Sequence, residues 1–412
     1  MRVGIVGAGI VGVATAHALL DDGHVVDLID REGIAAGTSA GNAGWIAHLD
    51  ILPLASPKAW RHLPRWALDP LGPLAIRPSY LPALTPWLAR FVSASRPSRI
   101  EASTQAIATL NGLALPAWRK RLQAVGLGHH LRERGLLSVW ADAGGYRAAQ
   151  PLFERQRGLG IAVETLDAAD LRRLEPALGP RAVAGALYPT GCHVSDPLDF
   201  TRALAQAALD RGAELRRFEV VDVRAGGDKV ALRTSFDTLA EYDRIVVATG
   251  AWSKPLAASL GDSVPLDTER GYNVTLPSGR FGLTRPVMFE GEGFVTTPLD
   301  TGDRVGGSVE FAGLAAAPNF RRVDAILGRL RRFLPEADLS GGTRWMGFRP
   351  STPDSLPVIG RAPRDPRIVY AFGHAHHGLT QATAELVAAL LADRRPDIDL
   401  TPYSPERFAK RF

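Results

Sequence analysis

The stretch RVGIVGAGIVGVATAHALLDDGHVVDLIDRE, residues 2–32, decides the fold. It reads as strand, tight turn, helix and strand. Val3 to Val6 is a short apolar run of the kind buried on both faces of a parallel sheet. Gly7, Gly9 and Gly12 then give G-x-G-x-x-G. The first permits the tight turn, the second lets backbone approach a pyrophosphate, and the third lets helix and strand pack closely. The composition predicts a helix from Val11 to Asp22, stopped by Gly23, and a second strand over Val25 to Ile29. That strand ends in Asp30, eighteen residues after Gly12, where an acid meets the adenosine ribose. A lone G-x-G-x-x-G is weak. With a strand before it, a helix after it and a correctly placed acid, it predicts a dinucleotide site.

The 412 residues are long for one compact core and predict two domains or one large composite fold. The 46% hydrophobic and 22% charged fractions are those of a globular protein. The net charge of +5 comes from Arg spread among Asp and Glu, with no block of like charge and no zinc-finger or RNA-binding motif, which argues against nucleic acid. A surface drawing carboxylate substrates or anionic lipid fits that charge as well. Cys192 is the single cysteine, so no internal disulfide forms, in keeping with a reducing cytoplasm. The N-terminus reads as a strand entering a turn rather than a signal peptide, and no apolar run is long enough to span a bilayer.

Asp30 favours a free ribose hydroxyl, hence FAD or NAD over NADP. Two features favour FAD. GTSAGNAG, residues 37–44, supplies small residues and hydroxyls that let backbone pass close to a bulky cofactor. The dinucleotide fold also resumes much later, with a helix at 197–215, a hairpin-like pair at 217–235 and the buried strand YDRIVVATGAWS at 242–253.

These motifs, with WMGFRPSTPDSLPVIG (345–360) and YAFGHAHHGLT (370–380), together resemble the FAD-dependent D-amino-acid oxidase superfamily, nearest to the bacterial D-amino-acid dehydrogenase (small subunit) group. The resemblance implies an α/β chain: a Rossmann-like FAD-binding domain interleaved with a mixed-sheet α+β substrate-binding domain. The expected division is 1–45, 191–262 and 346–395 for FAD, 46–190 and 263–345 for substrate, and a tail at 396–412. It implies cofactor contacts from Gly7, Ala8, Gly9, Ile10, Val11 and Gly12, from Asp30 and Arg31, and from Thr38, Ser39, Asn42, Ala43 and Gly44. Val220, Ala248, Thr249, Gly250, Trp252 and Gly347 follow, and then His374, Gly378, Leu379 and Thr380. Trp45 stands where the dehydrogenases often have a small polar residue.

The histidines of GHAHHGLT admit two readings. His374, His376 and His377 could converge on a metal, but no nearby Asp, Glu or Cys completes a shell. The resemblance instead places this turn against the isoalloxazine ring, with Thr380 near the start of a helix running to Leu391. A helix N-terminus there would stabilise the negative charge of reduced flavin. His376 and His377 are candidates for the cavity wall, and His374 for a loop hydrogen bond.

Arg349 lies in a segment resembling the family's carboxylate-binding G-x-R-P. A guanidinium fork offers a carboxylate two parallel N–H donors and a permanent charge; the alternative is a structural arginine paired with Asp354 or a loop carbonyl. Asp354 and Gly360 are expected to shape the turn and backbone around the flavin. Tyr272, in a predicted strand pair at 268–277 and 294–313, either offers a hydroxyl to substrate or is a half-buried strand aromatic. Glu310 reads as a sheet-edge charge or, alternatively, a polar lining residue. Trp45 and His48 follow the flavin motif and are candidates for the cavity. Residues 46–190 read as short helices broken by loops, a cover over the substrate region or a face docking on an anionic membrane. The tail reads as a packed strap or a loose end.

The expected reaction is hydride transfer from the Cα of a small amino-acid substrate to FAD, with oxygen or a quinone as final acceptor. Sarcosine-type secondary-amine oxidation and a membrane-docked electron carrier are the alternatives.

Overall fold

The computed structural model describes residues 1–55, 68–374 and 381–409. His376, His377, Gly378, Leu379 and Thr380 lie outside the described residues.

The opening motif folds as its pattern dictates. Strand Arg2–Val6 pairs in parallel with Val25–Asp30 on one side and with Arg244–Val247 on the other. The full sheet has six strands, in the order 358–361, 368–372, 244–247, 2–6, 25–30 and 214–217, and only the 358–361 edge is antiparallel. Helix Ile10–Asp21 starts one residue before the predicted span. It packs with helices Pro197–Asp210 and Gln381–Leu391 on one face, where Val3, Ile5, Val13, Leu19, Phe200, Leu204 and Val387 form one core. A three-stranded antiparallel sheet (220–226, 229–234, 239–242) and helix Ser253–Ser259 cover the other face, through Val223, Leu232, Tyr242 and Leu256. Two glycines make this possible. Gly7 has φ +110°, and a Cβ on Gly12 would lie 1.9 Å from the Gly7 carbonyl oxygen.

The second sheet is mixed. Its main path runs 343–351, 267–276, 302–311, 294–299, 287–289, 136–140, 184–188 and 164–167, and 74–76 pairs with 302–311. Helix Arg321–Leu330 covers one face with Val323, Ile326 and Leu330. The other face looks toward the first sheet.

Residues 46–190 depart from expectation. They supply strands as well as helices, including Leu136–Trp140 and Ala184–Tyr188, and their helices reach sixteen residues. The run LLSVW is buried along its whole length, and a strand covered on both faces shows no alternation of apolar and polar residues. Pro82 sits in the first turn of helix Leu81–Ala94, where a missing N–H costs little. Glu310 is not an edge charge. It lies 4% exposed in strand Gly302–Phe311, which has neighbours on both sides, and pairs with Arg77.

The described tail is a strap. The Tyr403 hydroxyl donates to the Ala106 carbonyl at 2.6 Å, and Arg407 pairs with Asp354 at 2.9 Å. Asp354 is thereby committed to the tail rather than to Arg349, and Gly360 leaves room for Pro405. Among the described residues no helix is long and apolar enough to cross a membrane.

Two buried histidines make stability depend on pH. His17 Nε2–H donates to the Leu204 carbonyl at 2.8 Å, and burial pushes its pKa down to about 4. Burial likewise pushes His193 to about 4. Above pH 6.5 both rings are neutral folded or unfolded, and this stability is fully present. As pH falls from 6.5 to about 4 the unfolded chain binds protons that the fold refuses, at a cost of roughly 1.4 kcal/mol per unit per ring. The urea midpoint therefore falls over this window, and His17→Gln, which keeps an N–H for Leu204, flattens the fall. Parallel profiles for parent and variant would contradict this account.

Candidate active site

A cavity of about 750 Å³ runs between the two sheets, within the range that takes cofactor-sized ligands. One end is formed by the glycine turn. Gly7, Gly9, Ile10 and Val11 line it, while Ala8 and Gly12 act through the backbone behind. The Ser39 hydroxyl accepts from the Ile10 N–H at 2.9 Å, so the 37–44 loop caps the helix. Asp30 stands where the motif requires. Its Oδ2 accepts from the Ala8 N–H at 3.0 Å, and Oδ1 accepts from Glu32 and Gly33. Three of roughly four acceptor sites on a carboxylate are thus used in closing the turn. Arg31 stacks over Trp252 at 4.8 Å, and both line the wall with Val220, Ala248, Thr249 and Gly250.

The loop continues along the cavity. Thr38 donates to the Phe348 carbonyl at 2.8 Å. Asn42 accepts from the Gly44 N–H at 2.7 Å. Thr38, Ser39, Asn42, Ala43 and Gly44 all line the wall, with Gly347 and His374. His374 Nε2 lies 3.0 Å from the Thr383 hydroxyl.

The far wall is the second sheet, and strand alternation chooses its side chains. Gly271 and Asn273 on strand Asp267–Leu276 face it, as do Trp345, Gly347 and Arg349 on strand Thr343–Ser351. Each long side chain lies across a glycine. A Cβ on Gly271 would lie 2.5 Å from Arg349 Nη2, and one on Gly347 would fall 2.0 Å from the Trp345 ring. A Cβ on Gly41, on the loop, would lie 2.3 Å from the same indole.

Arg349 has part of its surface on the cavity and protein on every other side. Its Nη1 donates to the Ser308 carbonyl at 3.1 Å, and it forms no ion pair among the described residues. Burial pushes its pKa down, and Glu269, directly opposite in the strand register, pulls it back up. Glu269 accepts from the Ser351 hydroxyl at 2.6 Å. A half-buried guanidinium with donors left over has the chemistry to take a carboxylate. Met288 and Val295 add apolar surface to the cavity wall.

Two expectations fail here. Tyr272 borders the cavity, but alternation turns its side chain to the other face, into the core of Val274, Leu276, Val323 and Ile326. Its hydroxyl donates to Glu310 at 2.5 Å and accepts from the Asn319 N–H. It is a structural tyrosine. His48 does not line the cavity; its Nδ1 bonds the Ile46 carbonyl at 3.0 Å and Nε2 lies 3.4 Å from Thr190. Trp45 does reach the wall, where its indole N–H donates to Thr297 at 2.8 Å. Trp345, Asn273, Arg304 and Thr297 went unnoticed in the sequence. The two-residue step back from Arg349 through Gly347 was the available signal for Trp345. Among the described residues no cluster of His, Cys, Asp or Glu could hold a metal.

Gly347→Ala forces the indole from its seat. We expect an altered near-ultraviolet circular dichroism band and a loss of about 1–3 kcal/mol in urea unfolding, the usual cost of overpacking. An unchanged band and midpoint would show that the contact is not tight.

The glycine turn, Asp30 and the long cavity fit an adenine dinucleotide with a bulky ring at its far end, and comparison with known proteins gives the same result. The chain is 38% identical over 417 residues to a protein named D-amino-acid oxidase from Bradyrhizobium diazoefficiens, covering 99% of both. It is 32% identical to one named D-amino acid dehydrogenase 2 from Ralstonia nicotianae, over 99% of this chain and 100% of that one. The solved glycine oxidase from Geobacillus kaustophilus superposes with a TM-score of 0.75 at 24% identity, covering 99% of this chain and 100% of that one, and shares the fold. The family model described as FAD dependent oxidoreductase (DAO) matches residues 2–394, nearly the whole span from the first strand to the helix behind the cavity, so the chain belongs to that family and takes FAD as its cofactor.

Proposed function

We propose that the protein oxidises the Cα–N bond of a D-amino acid. The observation that carries this reading is Arg349, a half-buried guanidinium without an ion-pair partner among the described residues, set in the wall of the long cavity. The names of the relatives from Bradyrhizobium and Ralstonia support the D configuration. In this reading residues 1–45, 191–262 and 346–395 hold the cofactor, and 46–190 with 263–345 form the substrate region.

Bound FAD supplies the hydride acceptor. The residues of the chain do the rest. Arg349 holds the substrate carboxylate through paired N–H donors and so fixes the direction of the Cα–H bond. Gly271 leaves the guanidinium its seat. Met288 and Val295 give the substrate side chain an apolar wall and exclude water. The amine enters neutral, so no strong protein base is required. The Cα–N bond becomes an imine, which water hydrolyses to a 2-oxo acid and ammonia; a proline-type ring amine gives a cyclic imine. The electrons leave to oxygen or a quinone.

The test is anaerobic titration with D- and L-amino acids, D-proline and sarcosine included. Bleaching of the flavin bands by D-amino acids is the expected result, and bleaching by sarcosine or L-amino acids alone would overturn the reading. Admitting air then separates oxygen from another acceptor.

Arg349→Ala removes a charge-assisted contact of about 1.5–3 kcal/mol, so KM rises by roughly 10- to 100-fold or more while flavin stays bound. Gly271→Ala displaces the same guanidinium and raises KM in the same direction. An unchanged KM in Arg349→Ala would refute the carboxylate assignment.

A further inference from the structure

The loop at residues 41–43 is held by an arrangement that the proposed reaction does not by itself require. The Gly41 carbonyl accepts from Asn273 Nδ2 at 2.6 Å, that of Asn42 from Arg304 Nη1 at 2.7 Å, and that of Ala43 from the Thr297 hydroxyl at 2.9 Å. The three donors sit on strands 267–276, 302–311 and 294–299, which are consecutive neighbours in the second sheet. The order of the carbonyls along the loop is the order of the strands. Strands stand about 4.8 Å apart and a residue advances about 3.8 Å, so the loop crosses the strands and meets one donor on each.

The clamp also determines where the N–H groups point. Each peptide is trans and planar, so a carbonyl held against the sheet turns the next N–H the other way. The Gly44 N–H is taken by the Asn42 side chain. Those of Asn42 and Ala43 make no hydrogen bond among the described residues, and both residues line the cavity. Arg304 is itself fixed, with Nε on the Thr275 hydroxyl at 2.9 Å and Nη2 3.4 Å from Asp196. Thr297 receives the Trp45 indole N–H and passes its own proton to Ala43, so a side chain of the cavity wall is wired to the loop.

We propose that Asn273, Arg304 and Thr297 are positioning residues, which hold the three carbonyls so that the Asn42 and Ala43 N–H groups stand as fixed donors toward the flavin and set its electron affinity. Donors fixed in advance stabilise developing negative charge without reorganising. The inference rests on the family's cofactor, and on the reading above only where turnover is measured.

The test uses the flavin-loaded protein and three variants: Thr297→Val, Asn273→Ala and Thr297→Ser. Loss of one tie speeds hydrogen exchange in the segment 38–46 by about tenfold. It also lowers the midpoint potential by about 30 mV, a tenfold change in a two-electron equilibrium. Substrate KM stays near the parent value while kcat falls, and Thr297→Ser, which keeps the hydroxyl, restores all three. Unchanged exchange and potential in folded Thr297→Val and Asn273→Ala would overturn the proposal. So would faster exchange with an unchanged potential, or a serine variant that behaves like valine. A protein that holds flavin but oxidises no amino acid would sink the functional reading and leave the exchange and potential measurements intact.

Discussion

Successive side chains of a β-strand point to opposite faces, and the second sheet turns that constraint into a division of labour. On strand Asp267–Leu276, Tyr272, Val274 and Leu276 face helix Arg321–Leu330 and form core. Gly271 and Asn273, one residue out of step, face the cavity. A single-residue slip of register would send Asn273 into the core and Tyr272 into the cofactor site. Both the apolar core and the polar wall therefore hold the same register in place.

The cavity face carries glycine wherever a long side chain must lie flat. Gly271 lies under Arg349, Gly347 and Gly41 flank Trp345, and Gly306 would strike Asn273 at 2.5 Å if it had a Cβ. Room between the sheets is made by omitting side chains from the strands rather than by separating the layers. The few large groups that remain are pinned, and pinned groups reorganise little when a ligand arrives.

Much of this was legible in the sequence. The first sheet was, because its signals are local: glycines, helix and acid fall within thirty residues. The segment 37–44 and Arg349 were found from short motifs and do line one cavity. Tyr272 and Glu310 could not be placed from local sequence for a common reason. Which face of a strand meets a ligand depends on neighbours far away in sequence, and the decisive ones were Val323 and Ile326 for Tyr272 and Arg77 for Glu310. Thr297 and Arg304 gave no local signal at all, since their partners are carbonyls some 250 residues distant.

The order of strands in the first sheet also governs how the chain must fold. Strand Arg2–Val6 is made well before its neighbour at Arg244–Val247, which follows some 240 residues later, and the 368–372 strand comes later still. Such pairings carry a large loop-closure entropy and slow folding. Until they form, Val3, Ile5 and Val246 present bare parallel-strand edges that no other part of the chain can cover. The glycine motif is thus made long before the strands that enclose it.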